Sequence, residues 1–171
     1  MWVLETSRLR LRRLTPDDLP LLVEMFADPQ VTRFYGSIPP LKEFAGQWLQ
    51  RQLGRYGRGE PGMLYAELKP NASFVGMTGV TIQDVEGRTE YEVGYHLRSL
   101  YWGQGLATEA ALACRDYGFT RLGRERLVSL IHPENYASQR VAGRLGMTLE
   151  RRALWHGMEH LVFAMMRPAV L

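Results

Sequence analysis

The stretch from residue 90 to residue 132 constrains this chain most. It begins with a strand-like run, EYEVGYHL at 90–97, passes a turn holding Gly103 and Gly105, and ends in a second strand-like run, RLVSLIH at 126–132. Between them Ala107, Ala110, Ala111, Cys114 and Tyr117 or Gly118 recur at helical spacing, giving a helix with one apolar face that reaches about Leu122. A strand, a helix of roughly fifteen residues and another strand form a βαβ unit. Its two strands are therefore expected to run parallel, the helix serving as their crossover.

The rest of the chain is strand-rich and mostly antiparallel in pattern. LRLRRL (9–14) alternates as a half-buried strand does, and Thr15-Pro16-Asp17-Asp18 supplies a hydroxyl cap, an early proline and acids at a helix start. Leu19, Leu22, Val23 and Phe26 continue that helix until Asp28-Pro29. A second helix spans Leu41 to about Leu53 with Phe44 and Trp48 inward and Leu49 a candidate beside them, and the glycine-rich GRYGRGEPG (54–62) reads as a loop. Strands at 63–68 and 73–82 join the one at 90–97 through turns at Pro70-Asn71 and Glu86-Gly87, an antiparallel meander. After Pro133 come a short helix over 135–145 and strands at 147–154 and 160–166. The expected fold is one α/β domain over residues 1–171, a largely antiparallel mixed sheet with one central, splayed parallel pair.

Composition narrows the function. Hydrophobic residues at 46% and charged residues at 23% belong to an ordinary globular chain. No apolar run approaches the roughly 20 residues of a membrane span, and the N-terminus lacks the apolar core of a signal peptide. Cys114 is the only cysteine, which excludes an intrachain disulfide and fits a reducing cytoplasm. The net charge of +3 is carried almost wholly by arginine, since Lys42 and Lys69 are the only lysines. No basic block of the kind that binds nucleic acid is present, although the charge suits phosphate-bearing ligands.

Two readings of the glycine turn stand open on the residues alone. Gly103 can simply permit a positive φ at a strand exit. Alternatively, Gly103, Gln104, Gly105, Leu106 and Ala107 cup a phosphate, with glycines removing Cβ atoms from the unpaired N–H groups of a helix start. A P-loop would need Lys and Ser/Thr after Gly105, and a dinucleotide-binding turn would need glycine in place of Thr108. Neither pattern is met.

The motif Tyr101-Trp102-Gly103-x-Gly105-x-Ala107-Thr108-Glu109-Ala110 instead resembles the pyrophosphate loop of the GNAT superfamily of N-acetyltransferases, in which Trp102 replaces the usual Gln or Arg. That replacement is similar to the branch that acetylates ribosomal-protein N-termini. TSRLRLRRLTPDDL, YEVGYHL, and Asn135-Tyr136-Ala137-Ser138 followed by Val141 and Leu145-Gly146-Met147 resemble further blocks of the same branch, in the same order.

The resemblance implies acetyl-CoA as acetyl donor and no metal. It places pantetheine along His96, Leu97 and Arg98, and the pyrophosphate on Gly103, Gln104, Gly105, Leu106, Ala107 and Thr108. Asn135 is either a helix cap or a coenzyme contact, and Ser138 stands one turn on. Many members carry a tyrosine acid four residues beyond Ser138, where this chain has Ala142. Ser138 is then the candidate general acid, with a solvated helix hydroxyl as the competing reading. A backbone N–H near Tyr95 or His96 would meet the thioester oxygen. Glu92 is the first candidate base; Glu90, Glu150 and His156 are alternatives. Cys114 is expected in the core rather than as a nucleophile, and His132 at a strand end. Phe34, Tyr35 and Trp48 either line an acceptor cleft or belong to the core. The implied acceptor is a primary amine, preferentially a protein N-terminal α-amine of ribosomal type. A small amine, or an acyl-CoA-binding protein without turnover, are the alternatives. A monomer or a homodimer sharing its last strands fits the family, with no direct nucleic-acid or membrane partner.

Overall fold

The computed structural model describes residues 1–169. The chain forms β1 (Trp2–Glu5), β2 (Leu9–Arg13), α1 (Leu19–Ala27), α2 (Pro29–Thr32), α3 (Leu41–Gly57), β3 (Met63–Leu68), β4 (Phe74–Val85), β5 (Arg88–Leu97), α4 (Leu106–Thr120), β6 (Arg126–Ile131), α5 (Tyr136–Arg144), β7 (Thr148–Trp155) and β8 (Met158–Met166). The strands make one sheet in the order β1-β2-β3-β4-β5-β6-β8-β7. Every neighbouring pair is antiparallel except β5 and β6. The βαβ unit read from the sequence is therefore present, with α4 as its crossover.

Helices cover both faces of the sheet, and strand periodicity decides which side chain meets which helix. On β3, Leu64 and Ala66 join the core under α4 and α5, which includes Val75, Val93, Ala111, Leu127 and Leu145. Met63 and Tyr65, pointing the other way, join Leu22, Phe26 and Leu49 of α1 and α3. That is why MLYAEL is buried almost throughout rather than in alternation. Cys114 lies in the first core, 1% exposed, its sulfur 3.5 Å from the Thr78 hydroxyl. Burial pushes the thiol up to about 12, so it stays protonated.

The structure departs from the sequence reading in three places. Residues 2–5, which carry no strong alternation, pair with β2 as an edge strand. Helix α3 continues through Gly54 to Gly57, where a loop from residue 54 was expected. Helix-interior glycines cost about 1 kcal/mol each against alanine, and tertiary bonds offset them. The Tyr56 hydroxyl donates to the Met63 carbonyl and accepts from the Leu14 N–H, while Arg55 Nη2 donates to the Ile82 carbonyl at 2.9 Å. Finally, the segment around 151–160 is a two-residue hairpin. His156 and Gly157 have φ of 48° and 75°, and β7 and β8 run right up to them.

The β1–β2 connection is fastened to the start of α4 by one carboxylate. Glu109 accepts from Thr6 Oγ1 (2.5 Å), Ser7 Oγ (3.0 Å), the Arg8 N–H (2.8 Å) and Arg8 Nε (2.6 Å). Arg8 Nη1 also donates to the Gln104 carbonyl at 2.9 Å, so the glycine turn is held from outside the βαβ unit.

Candidate active site

Strands β5 and β6 meet at a single register pair, Glu92 opposite Val128, and separate beyond it. Backbone groups on the open side of β5 thus lose their partners. The Val93 carbonyl accepts the Ser129 hydroxyl (2.8 Å), so it faces β6, while the Gly94 carbonyl accepts the Thr78 hydroxyl (3.0 Å) on the β4 side. Strand backbones alternate direction residue by residue. The N–H and C=O of Tyr95 consequently face the gap, and those of His96 face β4. The Leu97 carbonyl, next in the same series, is taken by Trp102 Nε1 at 2.9 Å.

Two clefts open on either side of this gap, of ≈ 580 and ≈ 400 Å³. Phe34, Tyr95, His96, Asn135 and Ser138 line both. The larger is bordered by Leu97, Gly103, Gly105, Leu106, Ala107 and Thr108, so it runs along β5 onto the N-terminus of α4. Gly103 and Gly105 have φ of 74° and 75°. A Cβ at Gly103 would meet nothing within 4 Å, and one at Gly105 would meet only Arg8 Nη2 at 3.6 Å. Packing does not demand these glycines; the positive φ does, and the space in front of them is open. Gln104 and Arg98 do not line the cleft. The Gln104 amide donates to the Leu100 carbonyl and the Arg98 guanidinium pairs with Glu24.

The smaller cleft holds Glu92. Its carboxylate accepts from Gln83 Nε2 (2.7 Å) and Thr81 Oγ1 (3.3 Å). Burial outweighs these bonds and pushes its pKa above the ordinary carboxylate value. The other candidate carboxylates lie elsewhere: Arg126 holds Glu90 at 3.1 Å and Glu150 at 2.7 Å, and neither lines either of these two clefts. His156 lies at the cleft's rim on the hairpin turn, its ring against Trp155. His132 follows β6, stacks on Phe34 at 4.8 Å and accepts the Glu134 N–H at 3.2 Å. His96 shares a hydrogen bond of 2.6 Å with the Tyr35 hydroxyl, and burial lowers its pKa to about 4, so the ring is neutral. Phe34, Tyr35 and Trp48 all border this cleft, while Tyr35 and Trp48 also pack on the core of α1 and α3.

Asn135 caps α5, its side-chain oxygen accepting the Ser138 N–H at 3.1 Å. Ser138 Oγ donates to the Tyr95 hydroxyl (3.1 Å), which in turn donates to the Ser138 carbonyl (2.9 Å). Burial pushes this phenol up to about 12. The sequence singles out Tyr95 for its backbone alone, whereas its side chain also borders both clefts and bonds Ser138. Arg51, Arg55, Trp155 and His160 also border the smaller cleft without a signal in the sequence. All four histidines of the chain line it. Among the described residues no group of three His, Cys, Asp or Glu side chains is placed to hold a metal ion.

Residues 8–148 match the family model of the Acetyltransferase (GNAT) domain. The chain is 37% identical over 147 residues to the uncharacterized protein YkkB of Bacillus subtilis (strain 168), covering 84% of each. It superposes with a TM-score of 0.83 on an acetyltransferase from Agrobacterium tumefaciens str. C58, at 30% identity, covering 96% of this chain and 94% of that one. A putative ribosomal-protein-serine acetyltransferase from Vibrio cholerae superposes with a TM-score of 0.79 at 25% identity, covering 98% of both chains.

Proposed function

The chain belongs to the GNAT acetyltransferase family, and on that footing we propose that it acetylates a protein N-terminal α-amino group. The family's acetyl donor is acetyl-CoA, whose thioester supplies an activated acyl group for direct attack by an amine. The observation that carries the reading is the meeting of two clefts at Tyr95 and Ser138, across the parallel pair β5 and β6. The larger cleft is shaped for an extended ligand ending in phosphates. Its far end is the N-terminus of α4, where unpaired N–H groups and the helix dipole favour anions. The smaller cleft is where an amine would enter, beside Glu92.

The chain's own groups divide the chemistry between them. The Tyr95 N–H, aimed into the gap, is the donor for the oxygen of the thioester carbonyl as negative charge develops there. Glu92, with its raised pKa, takes a proton from the incoming ammonium directly or through water; an α-ammonium near pKa 8 needs little assistance. The Tyr95 hydroxyl is spent on the Ser138 carbonyl and holds the start of α5 in place. The Ser138 hydroxyl is the donor for the departing sulfur, turning to it from the Tyr95 oxygen that it meets at 3.1 Å, and it stabilises the thiolate chiefly by hydrogen bonding. Asn135, holding the Ser138 N–H, fixes the helix that carries this hydroxyl.

The protein N-terminal acceptor is supported by the Tyr-Trp-Gly-x-Gly turn and by the likeness to the Vibrio cholerae protein. The decisive experiment is thiol release from acetyl-CoA with an amine panel, followed by mass spectrometry of the acetylated product. Ser138→Ala should lower kcat by about 10-fold or more while leaving CoA affinity within a factor of about 3. Equal turnover removes Ser138 from the mechanism. Coenzyme binding without amine-dependent turnover for any acceptor would make the protein an acyl-CoA binder.

A further inference from the structure

The smaller cleft contains more positive charge than acetyl transfer to an amine requires. Arg51 and Arg55 stand at i and i+4 on α3, on one face of the helix, and both border the cleft that holds Glu92. Like charges at that spacing destabilise a helix by a few tenths of a kcal/mol. Elsewhere the chain pairs such groups with carboxylates: Arg12 with Asp18, Arg8 with Glu109, Arg126 with Glu90 and Glu150. Arg51 has no hydrogen bond or ion pair among the described residues. Arg55 makes one hydrogen bond, from Nη2 to the Ile82 carbonyl, and no ion pair. Burial opposes its charge and lowers its pKa.

No carboxylate within the cleft forms an ion pair with either guanidinium, and Glu92 and Glu60 act on Arg55 only through space. The cleft's only carboxylate, Glu92, is engaged by Gln83 and Thr81. Glu92 and Arg55 nevertheless feel each other's charge across the cleft. One end thus suits an ammonium and the other an anion. Guanidinium forks match carboxylate and phosphate oxygens two at a time. A polycationic amine would instead bring further positive charge toward two guanidiniums.

We propose that the acceptor carries an anionic group, a carboxylate or phosphate, close to its reacting amine, and that Arg51 and Arg55 bind it. The inference rests on the acetyl-transfer reading above and narrows it to zwitterionic acceptors. Two sources share that chemistry, a small amino acid or dipeptide and an acidic protein N-terminus.

The test compares two pairs of acceptors, each similar in amine pKa, with spermidine as a more basic, polycationic control. Thiol release from acetyl-CoA is measured with Gly-Gly against Gly-Gly-amide, with an Ala-Asp N-terminal peptide against its Ala-Asn counterpart, and with spermidine. The anionic member of at least one pair should be favoured about 10- to 100-fold in kcat/KM, and spermidine should be the poorest acceptor. Preference confined to the dipeptide pair identifies a small zwitterion; preference confined to the peptide pair identifies an acidic N-terminus. Arg51→Gln, at an exposed position that should not affect folding, and Arg55→Gln should each reduce the ratio toward 1. Arg51→Glu should invert it. Calorimetry of N-acetyl-Gly-Gly and its amide, and of the N-acetylated Ala-Asp and Ala-Asn peptides, on the CoA-bound protein reads anion recognition without turnover. Turnover with equal kcat/KM in both pairs overturns the proposal and leaves acetyl transfer standing. Arginine-dependent binding of an anionic probe without turnover of any amine overturns acetyl transfer and leaves the anion site. Neither turnover nor such binding overturns both.

Discussion

Glu109 offers the sharpest test of how the glycine turn is held. It sits in the first turn of α4, 17% exposed in its side chain, and accepts four hydrogen bonds from Thr6, Ser7 and Arg8. Desolvation alone would raise its pKa, but those bonds prevail and lower it from 4.5 to about 2. A carboxylate so depressed contributes stability that is fully present above the unfolded value near 4.5 and is lost as pH falls toward 2. At face value the fall corresponds to about 3 kcal/mol at neutral pH, and solvent screening at the half-exposed Arg8 reduces that. Glu109→Ala should therefore cost about 2–4 kcal/mol in urea unfolding at pH 7, since it also removes the acceptor that Thr6, Ser7 and Arg8 share. For a chain of this size that lowers Tm by roughly 4–16 °C. Glu109→Gln keeps an acceptor oxygen and loses the charge, so it should cost less than Glu109→Ala. Its deficit against the natural protein should shrink as pH is lowered through 4.5. A loss below about 0.5 kcal/mol for Glu109→Ala, or a Glu109→Gln deficit independent of pH, would refute the assignment of this carboxylate as the clamp.

Three further outcomes are expected. Glu92→Gln should lower kcat/KM by about 10²-fold and abolish the acid limb of the pH profile, which in the natural protein should lie above the ordinary carboxylate range because burial raises the Glu92 pKa; an unchanged limb returns the search to His156 or water. Gly105→Asn, which tolerates the left-handed φ of 75°, should fold with near-native stability yet bind CoA at least about 10-fold more weakly. Unchanged affinity there would leave backbone conformation as the sole reason for the glycine. Cys114, buried and held near 12, should resist a thiol reagent in the native protein and react at once in denaturant; fast native labelling would contradict its place in the core.

The sequence determined the architecture because its decisive signals are local. The strand–helix–strand run at 90–132, the Glu86-Gly87 turn and the alternation of LRLRRL are each set by neighbours a few residues apart. The glycine turn was legible too, as left-handed backbone at a helix start. Where tertiary bonds overrode local preference, the reading fell short. Gly54 and Gly57 argue locally for a loop, which places Arg55 outside the helix and hides its i, i+4 relation to Arg51.

The site itself was decided by the tertiary structure. Period-two geometry places Glu92 and His96 on one face of β5 and Tyr95 on the other, and in a continuous sheet no single ligand could touch both faces. Only the separation of β6 after Val128 opens the sheet. Through that opening Tyr95 meets Ser138, 43 positions away in sequence, and both border the cleft of Glu92. Periodicity reports which face a side chain takes, whereas where a sheet parts depends on how two strands pack against helices on opposite sides of it.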